Sequence, residues 1–298
     1  MSDGRPDVSP RMTARPTTRS RLPRLTDRLP LGPRGLAVSP FCLGAVGEPG
    51  TVEAAFDAGI NFFFISGDLH WPLYDDLRRG LSALLKRRPD VRSQIVVAVC
   101  SYAGHPEFMG SSGLELLATV PELDHLDVLV LGGVREVDFL PRLHFAERLQ
   151  QGGAVRALGA SFHDRRAALT GFNRQLVEVA FIRYNAIHPG ARRDLFPALD
   201  AASPSLLYNF KSMLGYLDDT QWNKLGLSAE HWRPSHTDYY RFILTQPQID
   251  GLLCAPSTPA EIAALASALE QPLLTEEEQQ YLFDLVDLSQ GKVRLAGP

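Results

Sequence analysis

From Leu29 onward, short runs rich in β-branched and aromatic residues alternate with stretches whose apolar positions recur every three or four residues. That change of period is the rhythm of βα units. The runs Pro40–Val46, Asn61–Ser66, Ile95–Cys100, Asp127–Leu131, Ala157–Ser161, Val179–Tyr184, Ser205–Asn209 and Gly251–Ala255 predict eight strands. Asn61–Ser66 is nearly all apolar, as a strand buried on both faces requires. Helical spacing appears over Thr51–Ala58, which stops at Gly59, and over Pro72–Arg87, where Leu73, Leu77, Leu81 and Leu84 form one stripe. Further helices are predicted at Leu114–Thr119, Phe139–Gln151, Arg165–Asn173, Ala191–Leu199, Thr237–Thr245 and Pro259–Leu269, and a last one from Thr275 carries Glu276, Glu277 and Glu278 in its first turn. The stretch from Phe210 to His236 is too long for an ordinary connection and contains Trp222, Leu225, Leu227 and Trp232, so short helices or a lid are expected there. Eight parallel strands joined by helices close most readily into an α/β architecture, the (β/α)8 TIM barrel.

Composition narrows the partners. A chain of 298 residues with 45% hydrophobic content suits one barrel of about 250 residues plus a tail. Residues 1–28, rich in Arg, Pro, Ser and Thr, have few groups to bury and read as a disordered basic tail; residues 29–298 form the barrel domain. The net charge of −4 points to no nucleic-acid or anionic-membrane partner, and no apolar run is long enough to span a bilayer. Cys42, Cys100 and Cys254 lie in apolar runs without C-x-x-C spacing, which fits reduced thiols in the cytoplasm.

Four segments then carry a resemblance. Leu31-Gly32-Pro33-Arg34-Gly35-Leu36-Ala37-Val38-Ser39 is similar to the opening L-G-x-T-G-L-x-V-S hairpin of the aldo-keto reductases, and Ala54 to Phe63 resembles their A-x-x-A-G-I-N-F-F run. Gly153 to Ser161 resembles G-K-V-R-x-I-G-V-S, and Arg183-Tyr184-Asn185 the Y-N of the sixth strand. The resemblance runs from about Pro30 to the C-terminus. It implies an N-terminal β-hairpin, a C-terminal helix outside the barrel and NADP(H)-dependent reduction of a small carbonyl, or oxidation of an alcohol.

The reductases use an Asp, Tyr, Lys and His set, and here the sequence departs from them. Phe64 stands at the Asp position, Leu69 at the Tyr, Cys100 or Ser101 at the Lys, and the fourth strand ends Leu131-Gly132-Gly133 where the family has His. The same resemblance assigns Ser161 to the nicotinamide amide and Tyr208 to ring stacking, with Asn185 beside them. Phe162 and Phe181, however, replace the family's Asn and Gln. Ser257 opens the turn where the family binds the adenosine phosphate, but no Lys or Arg follows it.

The strand ends supply Asp68, His70 and Trp71; Tyr102, His105 and Phe108; His163 and Asp164; Asn185 and His188; and Asn209 and Lys211. Active sites of barrel enzymes form on that face. Three readings stay open. One is a nicotinamide-dependent oxidoreductase using His70 or Tyr102 as proton donor. Another is a lyase, isomerase or metal-dependent enzyme, with Lys211 as amine nucleophile or Asp68, His70 and His163 around a metal. The third is a non-catalytic protein that binds a small molecule.

Overall fold

Eight short strands pair in parallel, each with its successor, and the last closes onto the first. They are β3 (Phe41–Leu43), β4 (Phe62–Ser66), β5 (Val96–Ser101), β6 (Leu126–Val134), β7 (Val155–Phe162), β8 (Val179–Arg183), β9 (Leu206–Phe210) and β10 (Gly251–Cys254). An antiparallel hairpin, β1 (Leu29–Leu31) with β2 (Leu36–Val38), precedes them. The structure, a computed structural model, describes residues 18–103 and 105–292, apart from the side chains of residues 106–108, so the Phe108 ring expected at the rim lies outside the described residues.

The helices are α1 (Gly50–Asp57), α2 (Asp75–Arg87), α3 (Pro106–Thr119), α4 (Glu136–Gln151), α5 (Arg165–Asn173), α6 (Ala191–Asp194), α7 (Asp219–Leu225), α8 (His236–Leu244), α9 (Pro259–Ala268) and α10 (Glu276–Ser289). Every predicted strand and helix has a counterpart, and the differences have local causes. Pro72 sits in a separate 3-10 turn, Trp71–Tyr74, ahead of α2. Ala191–Leu199 divides at Leu195, where Pro197 imposes a second 3-10 turn. α3 starts at Pro106, eight residues earlier than the expected Leu114, through a glycine- and serine-rich stretch whose helicity comes from packing, not propensity. In the Phe210–His236 stretch, α7 is closed by the Asp218–Gln221 capping box and by Gly226 in the left-handed conformation. Leu217 and Trp222 bury themselves with Leu285 of α10, which anchors the segment on the barrel's outside.

Alternation along the strands separates two cores. Outward side chains such as Phe63, Ile65, Val97, Val99, Leu129 and Ile182 pack under the helices. Inward ones fill the barrel: Cys42, Phe62, Phe64, Ala98, Cys100, Val130, Phe181 and Tyr208, with Leu31, Leu36 and Val38 of the hairpin plugging the N-terminal end. Asn61 joins plug to barrel. Its buried amide accepts from Ser39 N (2.7 Å) and donates to Ala37 O (2.8 Å) and Gln94 O (3.0 Å).

Residues 1–17 of the Arg-rich segment lie outside the described residues. Residues 18–28, assigned to the tail by composition, are bound to the barrel. Leu22 and Leu25 enter the outer core, and the Arg19 guanidinium donates to Leu244 O and Ile249 O (2.9 and 2.7 Å). Gly59, with φ +110°, lets this segment cross α1's end, since a Cβ there would stand 3.1 Å from Leu25 O. Among the described residues no helix is long and apolar enough to cross a membrane.

Asn61→Ala leaves three buried partners unmatched and should destabilise the fold by about 2–4 kcal/mol in urea unfolding, whereas Leu69→Ala, at an exposed site, should change it by less than about 0.5 kcal/mol.

Candidate functional site

The C-terminal ends of the strands carry the polar residues, and a closed aromatic floor lies beneath them. Phe64 meets Phe181 edge-on (5.4 Å between centroids) and Tyr74 (6.2 Å); Phe181 and Phe62 in turn meet Tyr208 (5.7 and 5.5 Å). The position expected to hold a reductase Asp is therefore a buried phenyl ring. Gly132, at the expected His position, is filled from across the mouth: a Cβ there would fall 2.7 Å from the Tyr102 ring and 2.9 Å from Cys100 Sγ. A larger side chain at 132 and Tyr102 in this place exclude one another.

Asp68 holds the frame. Its carboxylate accepts from Tyr102 N (2.8 Å), Ser101 Oγ (2.9 Å) and Ser112 Oγ (3.1 Å), tying the β4 loop to the end of β5 and to α3. Below it lies Arg142 of α4, a buried cation that the sequence reading passed over. Its guanidinium donates to Gly132 O and Ser101 O, both at 2.9 Å, and so clamps the ends of β5 and β6. Burial draws its pKa down, opposed by Asp138, Cys100 and Asp68. The available signal was its place on the buried stripe Phe139, Leu143 and Ala146, where an arginine needs acceptors.

His70 is exposed, with its ring edge-on to Tyr102 at 5.4 Å. The Tyr102 phenol is pushed up, first by burial and then by Cys100, Tyr74 and Asp68; burial likewise raises Tyr74. None of those neighbours is cationic, so both phenols hold their protons more tightly than in water.

Each cofactor position has a partner within the chain. Tyr208, expected to stack on a nicotinamide, is 0% exposed and donates its hydroxyl to Ser39 O (2.6 Å) at the opposite end of the barrel. The alternation that turns it inward packs it beside Phe181 and Phe62 in the barrel interior, which corrects that expectation. Ser161 Oγ accepts from Gly133 N (2.9 Å). Asn185 is buried; it accepts from His188 N and donates to Lys211 O, bracing two loops. The amide of Ser257 donates to Glu261 Oε2 (2.9 Å), so a carboxylate sits where a cofactor phosphate was expected.

The proposed metal set is not assembled either: among the described residues no group of three His, Cys, Asp or Glu side chains is placed to hold a metal ion, Asp68, His70 and His163 included. His163 lies against Phe210 (5.3 Å), while Lys211 is exposed in a left-handed conformation (φ +58°). Arg183, absent from the sequence-derived candidates, ends β8 beside them.

In comparisons with solved structures, the chain is similar to the holo form of aldo-keto reductase AKR11C1 from Bacillus halodurans, with TM-score 0.67 and 18% identity over 87% of this chain and 96% of that one. PA4992 of Pseudomonas aeruginosa, assigned to the aldo-keto reductases, gives TM-score 0.62 and 18% identity over 83% and 97%. No protein-family model and no curated protein sequence matches the chain. At this identity the likeness defines the fold: the chain has the aldo-keto reductase barrel.

Raised phenol pKa values stabilise the fold below the unfolded value of about 10, and that stability is lost as pH climbs above it. The urea midpoint should therefore fall between about pH 9 and 11, and fall less steeply in Tyr102→Phe and Tyr74→Phe. Equal slopes in all three proteins would contradict this placement of the phenols.

Proposed function

We propose that this protein is a small-molecule-binding barrel on the aldo-keto reductase fold, with its ligand at the C-terminal mouth and without nicotinamide-dependent hydride transfer. The observation that carries the reading is Tyr208, whose ring is fully buried against Phe62 and Phe181 and whose hydroxyl is bonded at the far end of the barrel. A nicotinamide ring needs an open aromatic face and free amide partners; here Phe162 and Phe181 occupy two partner positions, and Ser161 and Asn185 are engaged by the backbone. Glu261 at Ser257 opposes a phosphate. The residues present do not fit the dinucleotide.

The cysteine thiols are constrained as well. Burial raises the thiols of Cys42 and Cys100 and pushes Cys254 up to about 12, so they remain protonated. The partner assigned is a small molecule, neither nucleic acid nor membrane. The second reading is the NADP(H)-dependent oxidoreductase with His70 or Tyr102 as donor. It is favoured by the fold shared with a reductase solved in a holo form and by the contact between those two rings. The raised Tyr102 phenol counts against it, because general acid catalysis works best with a pKa near the working pH.

Calorimetry with NADPH and NADH separates the two. The binding-barrel reading expects no saturable heat up to about 1 mM of either cofactor; saturation at about micromolar concentration overturns it.

A further inference from the structure

One side of the mouth is strongly cationic. On β8, Arg183 follows the inward Val179 and Phe181 at the same alternation and stands half-exposed at the strand's last position, at the mouth. Arg183 pairs in register with Phe210, so Lys211 follows beside it. Phe162 pairs with Ile182, which brings His163, one residue on, to the same rim, where its ring rests on Phe210. His188 is fixed beyond the end of β8 by Asn185, whose amide also holds Lys211 O. Three strand ends thus converge on four nitrogen-bearing side chains.

Their charge is not cancelled locally. The nearby Asp194 carboxylate is taken by Arg165 and Arg193, and Asp164 caps α5 through Arg166 N. Among the described residues no carboxylate forms an ion pair with Arg183 or Lys211. The two cations also reach both imidazoles. Burial first, then Lys211 and Arg183, lowers His163; burial, then Arg183, Lys211 and Arg165, lowers His188. Two unpaired cations beside two histidines held neutral is an arrangement that an anion would relieve. A guanidinium fork suits the paired oxygens of a carboxylate or phosphate.

We propose that Arg183 and Lys211, with His163 and His188, form a receptor for the anionic oxygens of the ligand, a carboxylate or a phosphate, at the β7–β9 side of the mouth. The inference rests on the binding-barrel reading and gives it a ligand class. Binding takes up protons: an anion raises both imidazoles, so affinity increases as pH falls through the interval between their bound and free values. Besides burial, Arg183 from β8 and Lys211 after β9 set this interval for both rings, with Arg165 acting on His188; Asp164 at the start of α5 and Asp194 of α6, paired with Arg165, are the carboxylates nearby.

The test follows histidine ring NMR signals, assigned with His163→Gln and His188→Gln, during titration with orthophosphate and, separately, with malonate. At least one anion should shift both signals saturably and raise their titration midpoints, more tightly at about pH 6 than at about pH 8. Arg183→Ala should weaken that affinity by about tenfold or more, and Lys211→Asn, chosen because Asn tolerates the left-handed backbone, should also weaken it. Arg183→Lys, which keeps a charge, should retain part of the affinity; circular dichroism confirms that each variant folds. A response to phosphate alone assigns a phosphoryl ligand, and a response to malonate alone assigns a carboxylate. Silence of both histidines with both anions, or wild-type affinity in Arg183→Ala, overturns the proposal. That failure is distinct from NADPH binding, which would defeat the binding-barrel reading without silencing these anions.

Discussion

A closed eight-stranded barrel must fill its own interior, and the molecule follows from how this one does so. Phe62, Phe64, Phe181 and Tyr208 meet along the axis at centroid separations of 5.4 to 6.4 Å, and Tyr74 and Tyr102 extend the packing to the rim. Close packing of this kind is unforgiving of volume changes. Gly132 stays small because Tyr102 fills the space above it, and Gly251 because Tyr208 and Pro40 O lie against it. The apolar interior also sets the chemistry: phenols and thiols that line it are held protonated.

Above that floor the polar side chains divide by whether their hydrogen bonds are already made. Asp68, Ser101, Ser112 and Arg142 bind one another or backbone carbonyls, and Asn185 braces two loops. They hold strand ends in place. His70, His163, His188, Arg183 and Lys211 stand at or near the surface, with capacity to meet a ligand. The first group is framework, while the second includes the side chains of the β7–β9 side on which the proposed anion site rests.

The strands were legible because a barrel strand buried on both faces leaves an apolar run that few other structures need; Phe62 to Ser66 and Val96 to Ser101 are such runs. The hairpin was legible through the resemblance of Leu31 to Ser39 to the opening segment of the aldo-keto reductases. Depth within the barrel was not legible. Tyr208 and Arg183 differ in height along the axis, and only closure of the sheet reveals that one is buried and the other at the mouth. Composition also misjudged residues 18–28, since Leu22 and Leu25 gain their burial from α1 and α8 neighbours far away in sequence. For Asp68, residue type suggested chemistry, while the backbone amide of Tyr102, invisible to any motif, decides its role.

The aromatic floor closes the barrel below the mouth. A crystal structure grown with about 5 mM NADPH, well above a micromolar dissociation constant, tests it most directly. Phe64 should stay against Phe181 and Tyr208 bonded to Ser39 O, with no dinucleotide density over them. A nicotinamide ring stacked on Tyr208, with Phe181 displaced, would contradict it.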